Sequence, residues 1–243
     1  MMFATMFRIG LWCLAGAFGA ATTAHAQTGA LKPFSARYQV QWHSITVGTS
    51  DLILKQLASA GEYEYTSKSN AHGIFRIAFS DEITQTSTLT IKDGHVQPLK
   101  FRGDDGTPSA KQDVTLDFDW QRLRVKGISE EKPVDIALPP DTQDPMSVQI
   151  SLMMALANGH SPTLVRLADK DEIKDFQYVN EGKATIKTAL GDLETVVLSS
   201  HRAGTNRVMR LWFAPSLSYL PVQAQRSKDD KVEFSMTIKS LQR

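Results

Sequence analysis

The residue types that carry most enzyme chemistry are few and scattered in this sequence. The single cysteine, Cys13, lies in an N-terminal apolar segment, so the rest of the chain has no thiol nucleophile or thiolate ligand. The motifs Gly-x-Ser-x-Gly, His-Glu-x-x-His and Gly-x-x-x-x-Gly-Lys do not occur. The later histidines stand singly, as His43, His72, His95, His160 and His201. The sequence therefore predicts no catalytic residue, no metal and no cofactor.

Acidic clusters in this chain fit turns better than acid–base chemistry. The run Asp169-Lys170-Asp171-Glu172 alternates in charge sign, which is typical of a solvated turn. Asp104-Asp105-Gly106 is typical of a hairpin turn. Two carboxylates facing each other across a cleft could still hydrolyse an envelope polymer, and spacing along strands does not reveal such a pair. A hydrolase therefore stays as one functional hypothesis.

The most distinctive polar stretch is Asp141-Thr142-Gln143-Asp144-Pro145, directly before an apolar segment. Aspartate accepts hydrogen bonds from free backbone N–H groups at a helix start, so Asp144 is expected to cap a helix over about 145–158. Alternatively, these polar groups lie at the mouth of a cavity. The helix is apolar on almost every side, which indicates burial on most sides. Met153 within it then belongs to a soft core or to an adaptable ligand site.

A second stretch, Arg207-Val208-Met209-Arg210-Leu211-Trp212-Phe213, alternates as a strand does. Arg210 and Trp212 are two residues apart, so they share a face and can stack. Arg202, one strand earlier, is expected to lie near them. The pattern fits a ladder of cross-strand contacts. It also fits a cationic, aromatic patch for the anionic head group of a lipid or glycan fragment.

The elements that must position these residues are mostly strands. Apolar residues alternate with polar ones over Phe34–Trp42 and again over Val232–Ile238, which predicts half-buried strands. Short turns rich in Gly, Asp and Asn separate many further candidates, which favours antiparallel hairpins. We expect a mainly β fold: one large antiparallel twisted sheet, or an incomplete β-barrel, with the single helix buried on its concave face.

The N-terminal segment predicts export. Arg8 precedes an apolar run from Ile9 to Ala21, and Ala24-His25-Ala26 has the small-x-small pattern of a signal-peptide cleavage site. The expected organisation is a cleaved signal peptide over 1–26, a flexible N-terminus over 27–33 and one β-rich domain over 34–243. The apolar run is too short to span a bilayer, and no second one approaches that length. The mature protein is therefore expected in the periplasm and is not expected to span the membrane.

Composition restricts the partners. The chain has 243 residues, 27 of them Lys or Arg and 26 Asp or Glu, for a net charge of +1. Nucleic-acid binding would leave a basic footprint, so this balance predicts no nucleic-acid partner. A lipid or other amphiphile, or a protein of the envelope, remains as the expected partner.

Several short motifs resemble a known family. They are Tyr38-Gln39-Val40-Gln41-Trp42, Val47-Gly48-Thr49-Ser50, Phe118-Asp119-Trp120, Val125-Lys126-Gly127, Gln143-Asp144-Pro145-Met146-Ser147-Val148-Gln149, Asp169-Lys170-Asp171-Glu172-Ile173-Lys174, Glu194-Thr195-Val196-Val197, Arg210-Leu211-Trp212-Phe213-Ala214-Pro215 and Tyr219-Leu220-Pro221-Val222. In combination they resemble DUF3108, a family of exported proteobacterial proteins without assigned function. The resemblance runs from about Phe34 to the C-terminus, implies a periplasmic location and supplies no catalytic residue. The expected fold is also similar to that of periplasmic lipoprotein carriers, which need an apolar cavity.

Three functions follow as hypotheses. The first is a non-catalytic periplasmic protein that binds a lipid or other amphiphile inside the curved sheet. The second is an adaptor or structural factor of the envelope, acting through a sheet edge or the face of Arg210 and Trp212. The third is the hydrolase. The candidate ligand-binding residues are Trp42, Asp144, Met153, Arg202, Arg210 and Trp212.

Overall fold

The computed structural model describes residues 31–73, 76, 82–107 and 109–243. The predicted signal peptide over 1–26 lies outside these residues. The apolar residues Ile74, Phe75 and Phe79 also predict a second, weaker helical turn over 71–79, most of which lies outside them too. In the described part the chain forms fourteen strands and one α-helix.

The strands follow one another along the chain with short connections. They are β1 (Phe34–Trp42), β2 (Ile45–Gln56), β3 (Glu62–Ala71), β4 (Ile83–Lys92), β5 (His95–Asp104), β6 (Val114–Asp119), β7 (Arg124–Ser129), β8 (Lys132–Ala137), β9 (Leu164–Asp169), β10 (Glu172–Thr188), β11 (Gly191–His201), β12 (Arg207–Ala214), β13 (Leu220–Lys228) and β14 (Lys231–Gln242). The helix α1 (Ser147–Ala157) lies between β8 and β9.

All fourteen strands belong to one antiparallel sheet. Its order is β8-β7-β6-β5-β4-β3-β2-β1-β14-β13-β12-β11-β10-β9, so sequence neighbours pair and the first and last strands pair with each other. Ser35 on β1 stands opposite Gln242 on β14. β10 comes close to β14 although three strands lie between them, which shows how strongly this half curls. The expected fold, a curved antiparallel sheet that is not closed into a barrel, is confirmed.

One face of the sheet carries the core, and we call it the inner face. On β1 the buried residues Phe34, Ala36 and Tyr38 alternate with more exposed neighbours, as the period-two pattern predicts. The helix α1 packs into this core through Ile150 and Leu152, which are fully or almost fully buried. The helix begins at Ser147, two residues later than the sequence predicts. Among the described residues, no helix is long and apolar enough to cross a bilayer.

The two edge strands come close together without pairing. The segment before α1 runs beside the free edge of β9: Gln143 N–H donates to Arg166 O at 2.9 Å, and its own carbonyl accepts from Ala168 N–H at 2.8 Å. Lys170, after β9, makes an ion pair with Glu130, before β8. The chain between β8 and α1 therefore covers an edge that would otherwise be free to pair with other chains.

Two strands and one break in the sheet differ from the sequence prediction. β8 contains Pro133, which argues against a central strand but is tolerated at an edge. β9 was not predicted because its mixture of charged and apolar residues lacks a clear alternation. The sequence pattern predicts two separate strands, over 173–180 and 183–190, yet β10 continues through both, with an irregularity in its pairing between Asn180 and Gly182.

Two glycines mark places where neighbouring backbones approach closely. A Cβ atom at Gly127 would lie 1.8 Å from the carbonyl oxygen of Thr115, and one at Gly48 would lie 2.1 Å from that of Asn70. Neither distance is possible for a side chain. The packing of the strands therefore explains the glycines of the motifs Val47-Gly48-Thr49-Ser50 and Val125-Lys126-Gly127.

Candidate functional site

The inner face holds an open cavity of about 580 Å³ beside Trp42, which we call the Trp42 cavity. Its volume lies within the range of small-molecule binding sites, roughly 300–1,000 Å³. The side chains that line it come from β1 to β4 and β14, and the apolar ones are Val40, Trp42, Val47, Ala71, Ile83, Phe234 and Met236.

The strand register explains why these residues meet. Val40 on β1 stands between Gly48 on β2 and Met236 on β14, and residues directly opposite each other on neighbouring strands share a face. Gly48 also lines the cavity, where the nearby carbonyl oxygen of Asn70 leaves no space for a side chain. Trp42, two residues further along, stands opposite Phe234. The cavity is therefore a product of the pleat and of small residues on the inner face.

A short polar patch interrupts the apolar lining. Ser69 Oγ donates to Ser50 Oγ at 2.9 Å, and the hydroxyls of Ser50 and Ser67 are 3.2 Å apart. All three residues line the Trp42 cavity together with Gln85. A mostly apolar lining with a few polar groups is typical of sites for amphiphilic ligands.

Trp42 lies at the mouth of this cavity and 41% of it is exposed. His43 packs edge-to-face against its ring, with the ring centres 5.1 Å apart. The guanidinium of Arg226 lies over the Trp42 ring at 5.6 Å and near that of Phe234 at 5.9 Å. An aromatic ring next to a cation therefore stands where a ligand would enter.

Asp144 occupies a different place, at the start of α1. Its Oδ1 accepts from Met146 N–H at 2.7 Å and from Ser147 N–H at 2.8 Å, while Ser87 Oγ donates to Oδ2 at 2.5 Å. In return Ser147 Oγ accepts the N–H of Asp144 at 2.9 Å. Burial raises the pKa of Asp144 to about 6, against the opposing effect of these hydrogen bonds. These contacts are those of the expected helix cap, and the carboxylate is closed off from solvent.

Met153 lies on the buried side of α1 and borders a smaller cavity of about 310 Å³ at the C-terminal part of the helix. Leu31, Phe34 and Tyr219 form other walls of it. The helix thus fills the middle of the concave side, and empty volume remains beyond it.

Arg210 and Trp212 share a face, as the alternation predicts, but that face is the outer one. Their strand neighbours Met209 and Leu211 stand opposite Arg226 and Ala224, in the row that leads to Phe234 and Met236 of the Trp42 cavity. Arg210 Nε donates to both carboxylate oxygens of Glu181, at 2.8 and 3.1 Å.

Arg202 lies elsewhere, 3.9 Å from Glu172. The structure therefore does not bring Arg202 into the ion pair of Arg210. The six candidate residues fall into five separate places: the cavity mouth (Trp42), the helix start (Asp144), the buried side of the helix (Met153), the outer face (Arg210 and Trp212) and the connection after β11 (Arg202).

A third cavity, of about 500 Å³, lies between the β4–β5 turn, α1 and the start of β9. Its polar walls include Arg166 and the pair His95–Asp141, whose Nδ1 and Oδ1 are 3.4 Å apart. Gln143 Nε2 donates to Val96 O at 2.9 Å, which fixes the amide, while Gln143 Oε1 is buried without a partner in the described part of the chain.

Carboxylates do not form a buried pair among the residues that the structure describes, where Asp144 is the one acid in the buried class. Asp104, Asp105 and Asp113 lie within 4.8 Å of one another and are more exposed. Their oxygens accept backbone N–H groups of their own loop, including Gly106 N–H at 2.8 Å on Asp104 and Asp105 N–H at 3.3 Å on Asp113. The cluster is thus explained by loop structure.

Sequence reasoning missed most of the Trp42 cavity. Three of its residues, Ile83 on β4 and Phe234 and Met236 on β14, are of types that usually form a core. One feature of the sequence could have indicated Arg226: it follows Val222 and Ala224 at a spacing of two, so a charged residue lies on the same face as two apolar ones. Only the pairing of β14 with β1 places Phe234 and Met236, and with them Arg226 on β13, beside Trp42.

The chain belongs to the DUF3108 family, proteins of unknown function, which matches residues 37–238. None of the curated proteins matches it in sequence. The match confirms the family that the sequence motifs indicate, and the family has no assigned function.

Three solved structures are similar in fold. A β-barrel-like protein of the DUF1849 family from Brucella abortus has 12% identity and a TM-score of 0.56, covering 87% of this chain and 98% of its own. A predicted exported protein with a YmcC-like fold from Bacteroides fragilis has 9% identity and a TM-score of 0.38, covering 88% and 97%. A predicted lipoprotein from Parabacteroides distasonis has 7% identity and a TM-score of 0.36, covering 88% and 96%. At these identities the similarity concerns the fold alone. The comparison of folds rests on the DUF1849 protein, whose TM-score is 0.56.

Proposed function

We propose that this protein is a non-catalytic protein of the periplasm that binds a lipid or other amphiphile inside its curved sheet. The observation that carries the proposal is the Trp42 cavity, with its volume of about 580 Å³, its apolar walls and its serine patch. An apolar chain in contact with these walls leaves water, and that transfer stabilises the complex by roughly 25 cal/mol per Å² buried.

The position of the cavity supports a binding role over a packing defect. An interior void is normally small, because cores are close-packed. Here α1 already fills the middle of the concave side with Ile150, Leu152 and Met153. The volume near Trp42 lies beyond the helix, is open at the mouth, and has a half-exposed aromatic residue there.

The other two hypotheses have less support. An adaptor acting by strand addition needs a free edge, whereas the segment around Gln143 covers that of β9 and Pro133 interrupts that of β8. The face of Arg210 and Trp212 has its arginine engaged by Glu181. A hydrolase needs a carboxylate pair in a cleft, and the fully buried Asp144 caps a helix.

Binding of the neutral, apolar dye N-phenylnaphthylamine to the purified full-length mature protein tests the proposal. Ser67→Phe places a ring in the cavity, while Lys68→Phe adds the same ring to the outer face of the same strand. We expect dye fluorescence to rise with wild type and with Lys68→Phe, and to stay low with Ser67→Phe. Equal fluorescence for both variants, with both folded by circular dichroism, would overturn the proposed site.

The proposed location has its own test. The sequence supports export through Arg8, the apolar run to Ala21 and the Ala24-His25-Ala26 site. Osmotic-shock fractionation of cells that express the full chain should release the protein with the periplasmic fraction. N-terminal sequencing should then begin at Gln27, and a protein retained in the cytoplasm with Met1 intact would contradict the assignment.

A further inference from the structure

An arginine stands beside the Trp42 cavity with its guanidinium over two aromatic rings. Arg226 on β13 is directly opposite Phe234 on β14, so the two share the inner face. The Arg226 guanidinium lies 5.6 Å from the ring centre of Trp42 and 5.9 Å from that of Phe234. Both rings line the cavity, and Arg226, which is not itself one of the lining residues, stands directly next to them.

Contact with these rings does not use the N–H donors of the guanidinium. Its N–H donors lie in the plane of the group, where they match the oxygens of a carboxylate or phosphate. Arg226 Nε is buried and has no hydrogen-bond partner among residues 31–73, 82–107 and 109–243. Of the side chain, 38% is exposed, so a ligand can reach part of it.

The charges around Arg226 leave an excess of cations. Glu233 Oε2 lies 3.6 Å from Arg226 Nε and 3.8 Å from Arg207 Nε, beyond hydrogen-bond length, so one carboxylate serves two guanidinium groups. That oxygen is also buried without a hydrogen bond in the described chain. The β13–β14 turn adds two lysines and two aspartates, Lys228, Asp229, Asp230 and Lys231, which balance one another.

We propose that the amphiphile of the Trp42 cavity carries an anionic head group, a phosphate or a carboxylate, bound by Arg226 with the help of Arg207. The apolar chain lies against Val40, Phe234 and Met236, and the head group lies at the mouth beside Trp42. This inference rests on the proposed function and adds the chemical class of the ligand. A cationic head group would instead meet two arginines.

Four amphiphiles with the same twelve-carbon chain test this inference: dodecyl phosphate, dodecanoate, dodecanol and dodecyltrimethylammonium. Each displaces N-phenylnaphthylamine from the mature protein at about pH 8 and below its micelle concentration. We expect one or both anions to bind at least about tenfold more tightly than dodecanol, a difference of about 1.4 kcal/mol, since charge-assisted hydrogen bonds are stronger than those of an alcohol. Comparing phosphate with carboxylate shows which anion the site prefers.

Two variants and one control assign the effect to Arg226. Arg226→Gln should weaken anion binding about tenfold and leave dodecanol unchanged. Glu233→Gln removes the competing carboxylate and should tighten anion binding, a gain that a damaged fold would not produce. Arg210→Gln is the matched control, because Arg210 has similar exposure, lies on the neighbouring strand and faces the opposite side.

The outcomes separate the two proposals. Failure of the dye and of all four amphiphiles to bind would overturn the proposed function itself. Binding of dodecanol or dodecyltrimethylammonium as tight as that of both anions would overturn the anionic head group and leave the cavity as a site. Equal effects of Arg226→Gln and Arg210→Gln on anion binding would overturn the role of Arg226.

Discussion

Ser87 on β4 donates a 2.5 Å hydrogen bond to the carboxylate of Asp144, 57 residues later in the chain. This bond ties the start of α1 to the middle of the sheet. Because Asp144 also accepts Met146 N–H and Ser147 N–H, one buried carboxylate fixes where the helix begins and where it docks.

The raised pKa of Asp144, about 6 in the folded protein against 3.8 as its ordinary value, makes stability depend on pH. The folded state holds this proton more tightly, so its stabilising effect is complete below about pH 4 and is lost as pH rises through about 6. Asp144→Asn keeps an acceptor for the two N–H groups and removes the titration. The free energy of unfolding of wild type relative to Asp144→Asn should therefore fall by roughly 2–3 kcal/mol between pH 4 and pH 7. Urea denaturation at several pH values measures it, and parallel curves for the two proteins would contradict it.

Two buried tyrosines on the inner face differ in one respect. Tyr38 donates its hydroxyl to Pro221 O at 2.7 Å, whereas the hydroxyl of Tyr65 has no partner in the described part of the chain. Burial raises the pKa of both phenols, so both stay protonated. Tyr38→Phe should destabilise the protein by about 1–3 kcal/mol, because Pro221 O loses its donor. Tyr65→Phe should be neutral or stabilising by thermal denaturation, and an equal loss in both variants would refute this difference.

The close approach of β6 and β7 gives a sharper test of packing. Gly127→Ala places a Cβ atom 1.8 Å from Thr115 O, so the strands must move apart, and we expect a loss of about 1–3 kcal/mol. Gly103→Ala is the control, since its Cβ would meet only the ring of Phe101 at 3.5 Å. That variant should be neutral or more stable by up to about 1 kcal/mol. Similar melting temperatures for the two variants would show that the strands adapt.

The ion pair of Arg210 and Glu181 should matter little for stability. The hydrogen bonds from Arg210 lower the pKa of the Glu181 carboxyl, with its attractive charge adding to them. Arg210→Gln should therefore raise the pKa of Glu181, which NMR titration of the carboxyl detects. Both side chains are partly exposed, so the melting temperature should change only slightly. This change should be smaller still at high salt, which screens the ion pair.

The first and last strands show how far the sequence predicts this fold. Period-two patterns over Phe34–Trp42 and Val232–Ile238 are local, and both strands are present. That these strands are neighbours is not a local property, and it decides which side chains surround Trp42. The face of Arg210 and Trp212 was likewise predictable as a shared face, but only the pairing with β13 shows which side of the sheet it is.

The capping role of Asp144 was predictable because a helix start has a short-range signature. Its bond to Ser87 was not, because β4 and α1 meet only after the sheet has curled. For the same reason the cavity could be expected as a consequence of curvature, while its walls could not be named.

The pairing of β1 with β14 also governs when the chain can finish folding. During synthesis β1 emerges among the first residues, yet its partner on one side consists of residues 231–242 near the other end. Until then both β1 and β13 have an open edge, and closing so long a loop slows the last step. A chain stopped before residue 231 would expose two central strands to other chains. The protein is therefore built so that the final twelve-residue strand turns two half-sheets into one.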